Sequence, residues 1–234
     1  MLSLLLIGFM LGMRHALEAD HLAAVATLAR KSSSIKDAIK QGAVWGLGHT
    51  LTLFFFSSIV ILSESIIPEN LALGLELLVG IMLVFLGADV IRKLIRDKIH
   101  FHSHQHENNQ IHFHAHKHVI NTAHNFSAHQ HEHNDGFPLK ALFVGFMHGM
   151  AGSAALIILT LQSVDSVMTG MLYILMFGIG SIIGMAALSA IIIMPLKYSA
   201  KGLTSLHNGL HAIIGVATVF LGVTLIFNIS GQII

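Results

Sequence analysis

Arg14-His15-Ala16-Leu17-Glu18-Ala19-Asp20-His21 places two imidazoles, two carboxylates and a guanidinium inside one short stretch, and the segments on either side, 2–13 and 22–29, carry no charge. Ionisable groups at membrane depth cost roughly 2.5–3.5 kcal/mol each on insertion scales, so such a cluster within an apolar span points to a substrate or ion pathway. The rest of the chain suits that setting. Of its 234 residues, 54% are hydrophobic and 11% charged, and the mean hydropathy is +0.74, far above an average soluble domain. This composition implies an all-α, polytopic membrane protein.

The hydropathy pattern predicts six transmembrane helices, near 2–28, 41–62, 71–95, 138–161, 169–195 and 206–228, each close to the ~20 residues needed to cross a bilayer. Connector 29–40 carries Arg30, Lys31, Lys36 and Lys40, whereas 63–70 has acidic residues only. Arg92, Lys93, Arg96, Lys98, Lys117, Lys140, Lys197 and Lys201 then fall on the same side as 29–40, leaving Arg14 as the single exception. By the positive-inside tendency that side is cytoplasmic, which puts both termini outside a cytoplasmic membrane and the long loop inside.

Internal similarity divides the chain. Gly8-Phe-Met-Leu-Gly-Met13 returns as Gly145-Phe-Met-His-Gly-Met150, Gly46-Leu-Gly-His49 weakly as Gly178-Ile-Gly-Ser181, and Val84-Phe-Leu-Gly87 as Val219-Phe-Leu-Gly222. A unit with an odd number of spans inserts its second copy upside down, so the expected organisation is two inverted three-helix repeats, 1–95 and 138–234, around a His-rich loop, 96–137. Substrate sites in such folds lie near the midplane between the repeats.

The loop holds His100, His102, His104, His106, His112, His114, His116, His118, His124, His129, His131 and His133. It has too few aliphatic residues to build a core and is expected to be disordered without a ligand. Closely spaced imidazoles on a flexible segment suit first-row cations, so metal binding is its natural role.

Cysteine is absent, which removes thiolate sites and leaves imidazole, carboxylate and thioether as donors. His15, Asp20, His21, His49 and His148 come to similar depth in the predicted spans, and they are the candidate metal ligands. On an unbroken helix Asp20 would lie about 140° and His21 about 240° around from His15, so the three could not face one ion. The first span is therefore expected to be interrupted near Met13–Asp20, as in repeat-built transporters. Glu18 is expected to pair with Arg14, because an isolated guanidinium in the span would be expensive. Glu18 is also a candidate, with His207 and His211 near the cytoplasmic end of span six, for a secondary metal or transfer site. Asp89 precedes Arg92 and Lys93 by three and four residues and is expected to make a juxtamembrane ion pair.

Arg14-His-Ala-Leu-Glu-Ala-Asp-His21 resembles the R-H-A-x-D-A-D-H signature of the nickel/cobalt transporter (NiCoT) family, with its H-x4-D-H element, and Leu47-Gly-His49-Thr50 resembles that family's L-G-H-[DS]-T. The resemblance implies a secondary transporter moving Ni²⁺ or Co²⁺ through a polar site that contains His15, Asp20, His21 and His49. Glu18 stands where the family has Asp, and Gly184-Met185-x3-Ser189 has Ser where a G-M-x3-D element has Asp. With six spans against the family's eight, the chain is similar to the shorter branch of urease-accessory nickel permeases. The His-rich loop is similar to that of the family's efflux branch.

Imidazoles with one carboxylate suit Ni²⁺, Co²⁺, Cu²⁺ or Zn²⁺ rather than Mg²⁺ or Ca²⁺. The expectation is a permease, not an enzyme, taking up Ni²⁺ or Co²⁺, with efflux by the same fold as the alternative. The partners are a divalent transition-metal ion, the bilayer and a cytoplasmic metallochaperone, with no cofactor and no nucleic acid. No G-x4-G-K-[ST] or H-E-x-x-H motif is present. An intramembrane haem protein with axial histidines is a further reading, of another class.

Overall fold

The first apolar segment does not run as one helix. Helix α1 (Leu2–His15) stops inside the ionisable cluster, and α2 (Ala19–Ala29) restarts after it at an angle of 61°. Between them the ladder tightens, with the Leu17 and Glu18 amides donating to the Arg14 and His15 carbonyls at 2.9 and 3.0 Å. Glu18 is extended (φ −62°, ψ 147°), and its carbonyl accepts the Leu22 amide at 2.8 Å to begin the new helix. Broken backbone at membrane depth persists only where protein covers it. Here the Ser181 hydroxyl donates to the Gly12 carbonyl at 3.2 Å, just before the break.

The structure, a computed structural model, describes residues 1–30, 32, 34–63, 68–96, 100–105, 111–116, 138–150, 166–199 and 204–233. Its further helices are α3 (Ile35–Ser63), α4 (Glu69–Arg96), α5 (Leu139–Met150), α6 (Val167–Ser199) and α7 (Thr204–Ile233). Among the described residues four single helices are long and apolar enough to cross a bilayer, or five spans if the bent α1–α2 pair is one. The protein is thus a helical, multi-pass membrane protein. Residues 151–165, which take in the second half of the expected fourth span, lie outside the described residues, as do Lys31, Lys98, Lys117 and Lys201.

Glycine sets how close the helices come. A Cβ on Gly12 would overlap the Phe177 carbonyl and one on Gly8 would meet Tyr173, so α1 lies parallel to α6 with backbones touching. The same arrangement joins α5 to α3, where Gly145 faces the Trp45 carbonyl and Gly149 the His49 carbonyl. Helices α4 and α7 run antiparallel on facing Gly-x6-Gly seams. A Cβ on Gly87 would lie 2.7 Å from the Gly215 carbonyl, and one on Gly222 would lie 2.7 Å from that of Gly80. Lipid offers no hydrophobic drive for helices to associate, so close van der Waals approach through small residues has to supply the cohesion. The core these contacts enclose includes Trp45, Val79, Leu83 and Met185, whereas Leu6, Met10, Phe55, Phe85, Phe220 and Phe227 face outward.

Among the described residues of the loop, the backbone pairs as an antiparallel hairpin of β1 (His100–Gln105) and β2 (Ile111–His116), with His100 opposite His116, His102 opposite His114 and His104 opposite His112. The alternating His-x-His sequence has the period of a strand, which lets a polar segment pair without a core. His106, His118, His124, His129, His131 and His133 lie outside the described residues. At the end of α4 the expected ion pair forms, with Lys93 Nζ donating to Asp89 Oδ2 at 2.9 Å.

Candidate metal centre

The break at residues 16–18 turns the end of α1 and the start of α2 toward one point, and α3 and α5 deliver the remaining side chains to it. His15 comes from the last turn of α1, Asp20 and His21 from the first turn of α2, His49 from α3 and His148 from α5. An acidic residue in the first turn of a helix complements the local dipole, so restarting the helix at Ala19 favours Asp20 in its place.

The contacts form one network. His15 Nε2 lies 3.2 Å from His49 Nε2, and His15 Nδ1 lies 2.9 Å from Glu18 Oε1. A carboxylate accepts only, so His15 Nδ1 donates to Glu18. Asp20 spans two imidazoles, accepting from His21 Nδ1 at 3.0 Å and from His148 Nε2 at 2.8 Å. His21 Nε2, His49 Nδ1 and His148 Nδ1 are buried with no hydrogen-bond partner among the described residues. Leaving buried nitrogens unsatisfied costs about 1–3 kcal/mol each. Their concentration here is what a site built for a bound cation would show.

Two groups have donor atoms all within 4.8 Å of one another: His15, His21 and His49, and Asp20, His21 and His148. Three of the imidazoles, those of His21, His49 and His148, are at most 2% exposed, whereas the side chain of Glu18 is 56% exposed. The sequence-derived set His15, Asp20, His21, His49 and His148 is therefore brought together in space. His207 and His211 are not among these groups. Their Nε2 atoms lie 3.0 Å apart, and His207 Nδ1 donates to the Leu196 carbonyl at 3.2 Å.

Glu18 corrects an expectation. It sits in the main cluster with its carboxylate on His15 rather than on Arg14, and Arg14 is exposed. Pairing at i, i+4 needs a continuous helix, and the interruption at residues 16–18 removes the stripe that would have joined them. Carboxylates that hold the outer nitrogen of a ligating imidazole fix its tautomer and orientation, a role open to Glu18 and Asp20 alike.

Sequence reasoning passed over Trp45. Its indole packs 5.4, 5.9 and 5.6 Å from the rings of His21, His49 and His148, forming an apolar wall on one side of the cluster, while Phe177 lies 5.2 Å from His15. Trp45 is four residues before His49, one turn away on the same face of α3. That spacing, on the chain's single Trp, was the available signal.

The family described as "NicO: High-affinity nickel-transport protein" matches residues 1–194. Over 231 residues the sequence is 35% identical to the "Urease accessory protein UreH" of Bacillus sp. (strain TB-90), covering 98% of this chain and 93% of that protein. It is 27% identical over 187 residues to the "Chloroplast protein FOR GROWTH AND FERTILITY 1" of Arabidopsis thaliana, covering 79% of this chain and 48% of that one. No solved structure matches it.

Proposed function

Because this chain belongs to the NicO family of high-affinity nickel-transport proteins and is a nickel permease rather than an enzyme, we propose that it carries Ni²⁺ inward across the cytoplasmic membrane through the His15, Asp20, His21, His49 and His148 cluster. The observation that carries the reading is the gathering of donor nitrogens and a carboxylate from α1, α2, α3 and α5 in one largely buried cluster. Imidazole donors replace water on a borderline dication, and Asp20 supplies an anion where the bilayer would otherwise oppose the charge.

Six spans in two inverted repeats are part of the same proposal. Spans that alternate in direction require α1 parallel to α6, α5 parallel to α3, and α3 and α4 antiparallel to α6 and α7. The glycine contacts have this sense throughout. Each repeat's first helix then docks on the other repeat's second helix through a Gly-x3-Gly pair, Gly8/Gly12 in one and Gly145/Gly149 in the other. Both termini lie outside, the repeats occupy 1–95 and 138–234, and the loop 96–137 faces the cytoplasm, where it passes ions to a metallochaperone.

Electrostatics and the similarity to a protein named for urease accessory function support the inward direction. A dication moving down an inside-negative potential gains about 2 × 2.3 kcal/mol per 100 mV, more than about a thousandfold in accumulation, with no nucleotide. In proteoliposomes, ⁶³Ni²⁺ is expected to accumulate when the potential is negative inside and to be excluded when it is reversed. Flux that ignores the sign of the potential would overturn the uptake reading and favour proton-coupled efflux. Deleting residues 100–133 is expected to lower the amount of Ni²⁺ retained per chain while leaving initial flux within about threefold. Complete loss of flux in a properly inserted deletion would assign the loop to translocation itself.

A further inference from the structure

Ligand atoms on one transition-metal ion sit roughly 2.1 Å from it, so no two are more than roughly 4.2 Å apart. The five clustered residues do not meet that condition together. At a looser separation of 4.8 Å their donor atoms divide into His15–His21–His49 and Asp20–His21–His148, with His21 alone in both. The His21 ring lies 4.3 Å from His15 and 5.0 Å from His49 in the first group, and 4.3 Å from His148 in the second. The His49 and His148 rings are 5.9 Å apart. The donors also differ in kind: one group is three imidazoles, the other two imidazoles and a carboxylate.

We propose that the cluster is two overlapping seats for a single ion, and that transport passes the ion from one to the other through His21. The proposal rests on the nickel-permease reading and adds the elementary step within it. Two dications sharing one imidazole in a low-dielectric interior would repel strongly, so the seats are occupied in turn. A conducting site has to bind well enough to admit an ion and weakly enough to release it, and dividing five donors between two three-donor seats achieves both. Glu18 holds His15 in the first seat at 2.9 Å. In the second, Asp20 already bridges His21 and His148 at 3.0 and 2.8 Å.

The test uses the full-length chain in nanodiscs with the twelve histidines from His100 to His133, and His207 and His211, replaced by asparagine, so that only the ligands of the cluster are counted. Ni²⁺ stoichiometry, X-ray absorption at the nickel edge and ⁶³Ni²⁺ flux are measured on this parent and its variants. The parent is expected to bind one Ni²⁺. His148→Ala should still bind one, held by three imidazoles. His49→Ala should still bind one, held by two imidazoles and a carboxylate oxygen. Each should lose more than about tenfold in flux, and His21→Ala should bind at least about a hundredfold more weakly. Two ions per parent chain, or the same imidazole count in His49→Ala and His148→Ala, would overturn the two-seat proposal. So would loss of binding in both variants as complete as in His21→Ala. Should an alanine variant fail to reach the membrane, His49→Gln and His148→Gln repeat the comparison. A parent that binds nickel in this pattern yet carries none sinks the transport reading alone, whereas transport with a single unvarying coordination sphere sinks the two-seat step alone.

Discussion

Asp20→Asn is expected to cut Ni²⁺ flux by at least about a hundredfold while leaving insertion and yield unchanged. The carboxylate accepts from His21 Nδ1 and His148 Nε2, and hydrogen bonds to a charged group are worth about 1.5–3 kcal/mol each. An amide keeps the shape but offers one acceptor in place of two, and turns an NH₂ group toward one of the imidazoles. Losing both charge-assisted bonds, at about 1.4 kcal/mol per tenfold, gives roughly two to four decades. The anion that offsets the dication's charge is lost as well. Initial rates of ⁶³Ni²⁺ uptake into proteoliposomes, normalised to inserted protein, measure the effect. Flux within about threefold of the parent would mean that the charge at this position is dispensable.

Gly145→Leu is expected to damage the protein through geometry alone, although residue 145 carries no ligand. A Cβ there would overlap the Trp45 carbonyl and lie 3.0 Å from the His49 amide nitrogen, so α5 must move away from α3. Overpacking of this kind costs about 1–3 kcal/mol, which corresponds to roughly 2–12 °C of unfolding temperature for a chain of this size. The displacement carries His148 with it, one turn further along α5, and breaks its 2.8 Å contact with Asp20. Flux is therefore expected to fall more than about tenfold even at temperatures where the variant is folded. Trp45, the single Trp, is packed against His21, His49 and His148 and reports unfolding by its own emission. Gly74→Leu is the matched control, since a Cβ at Gly74 meets nothing within 4 Å. Equal behaviour of the two variants would refute the close α3–α5 approach as the device that delivers His148.

The interruption of the first span was readable before any coordinates, because His15, Asp20 and His21 cannot share a face of a regular helix and a buried polar cluster with no shared purpose would be too costly to keep. The break between α1 and α2 lies inside the predicted interval. The Arg14–Glu18 pair was misjudged for a related reason. It rested on the cost of a guanidinium shut inside the span, whereas Arg14 is exposed and Glu18 instead reaches His15. Trp45 went unread because an apolar residue in an apolar span carries no contrast. The hairpin of the His-rich loop was missed because composition argued against a core, while strand pairing needs only backbone bonds.

What the amino-acid order by itself determined is the class of molecule, the kind of donor it can offer an ion, and the place in the chain where a membrane helix must fail. Those follow from local chemistry: charge among apolar residues, the absence of thiols, and a spacing incompatible with 3.6 residues per turn. Only the tertiary structure decided which carboxylate holds which imidazole, that α5 brings His148 to Asp20, and that the five donors fall into two groups hinged on His21. These depend on how closely α1 meets α6 and α5 meets α3, distances set by glycines facing carbonyls on another helix. No pattern within a single segment encodes such a distance, because it is a property of two surfaces that come together only when the whole bundle has packed.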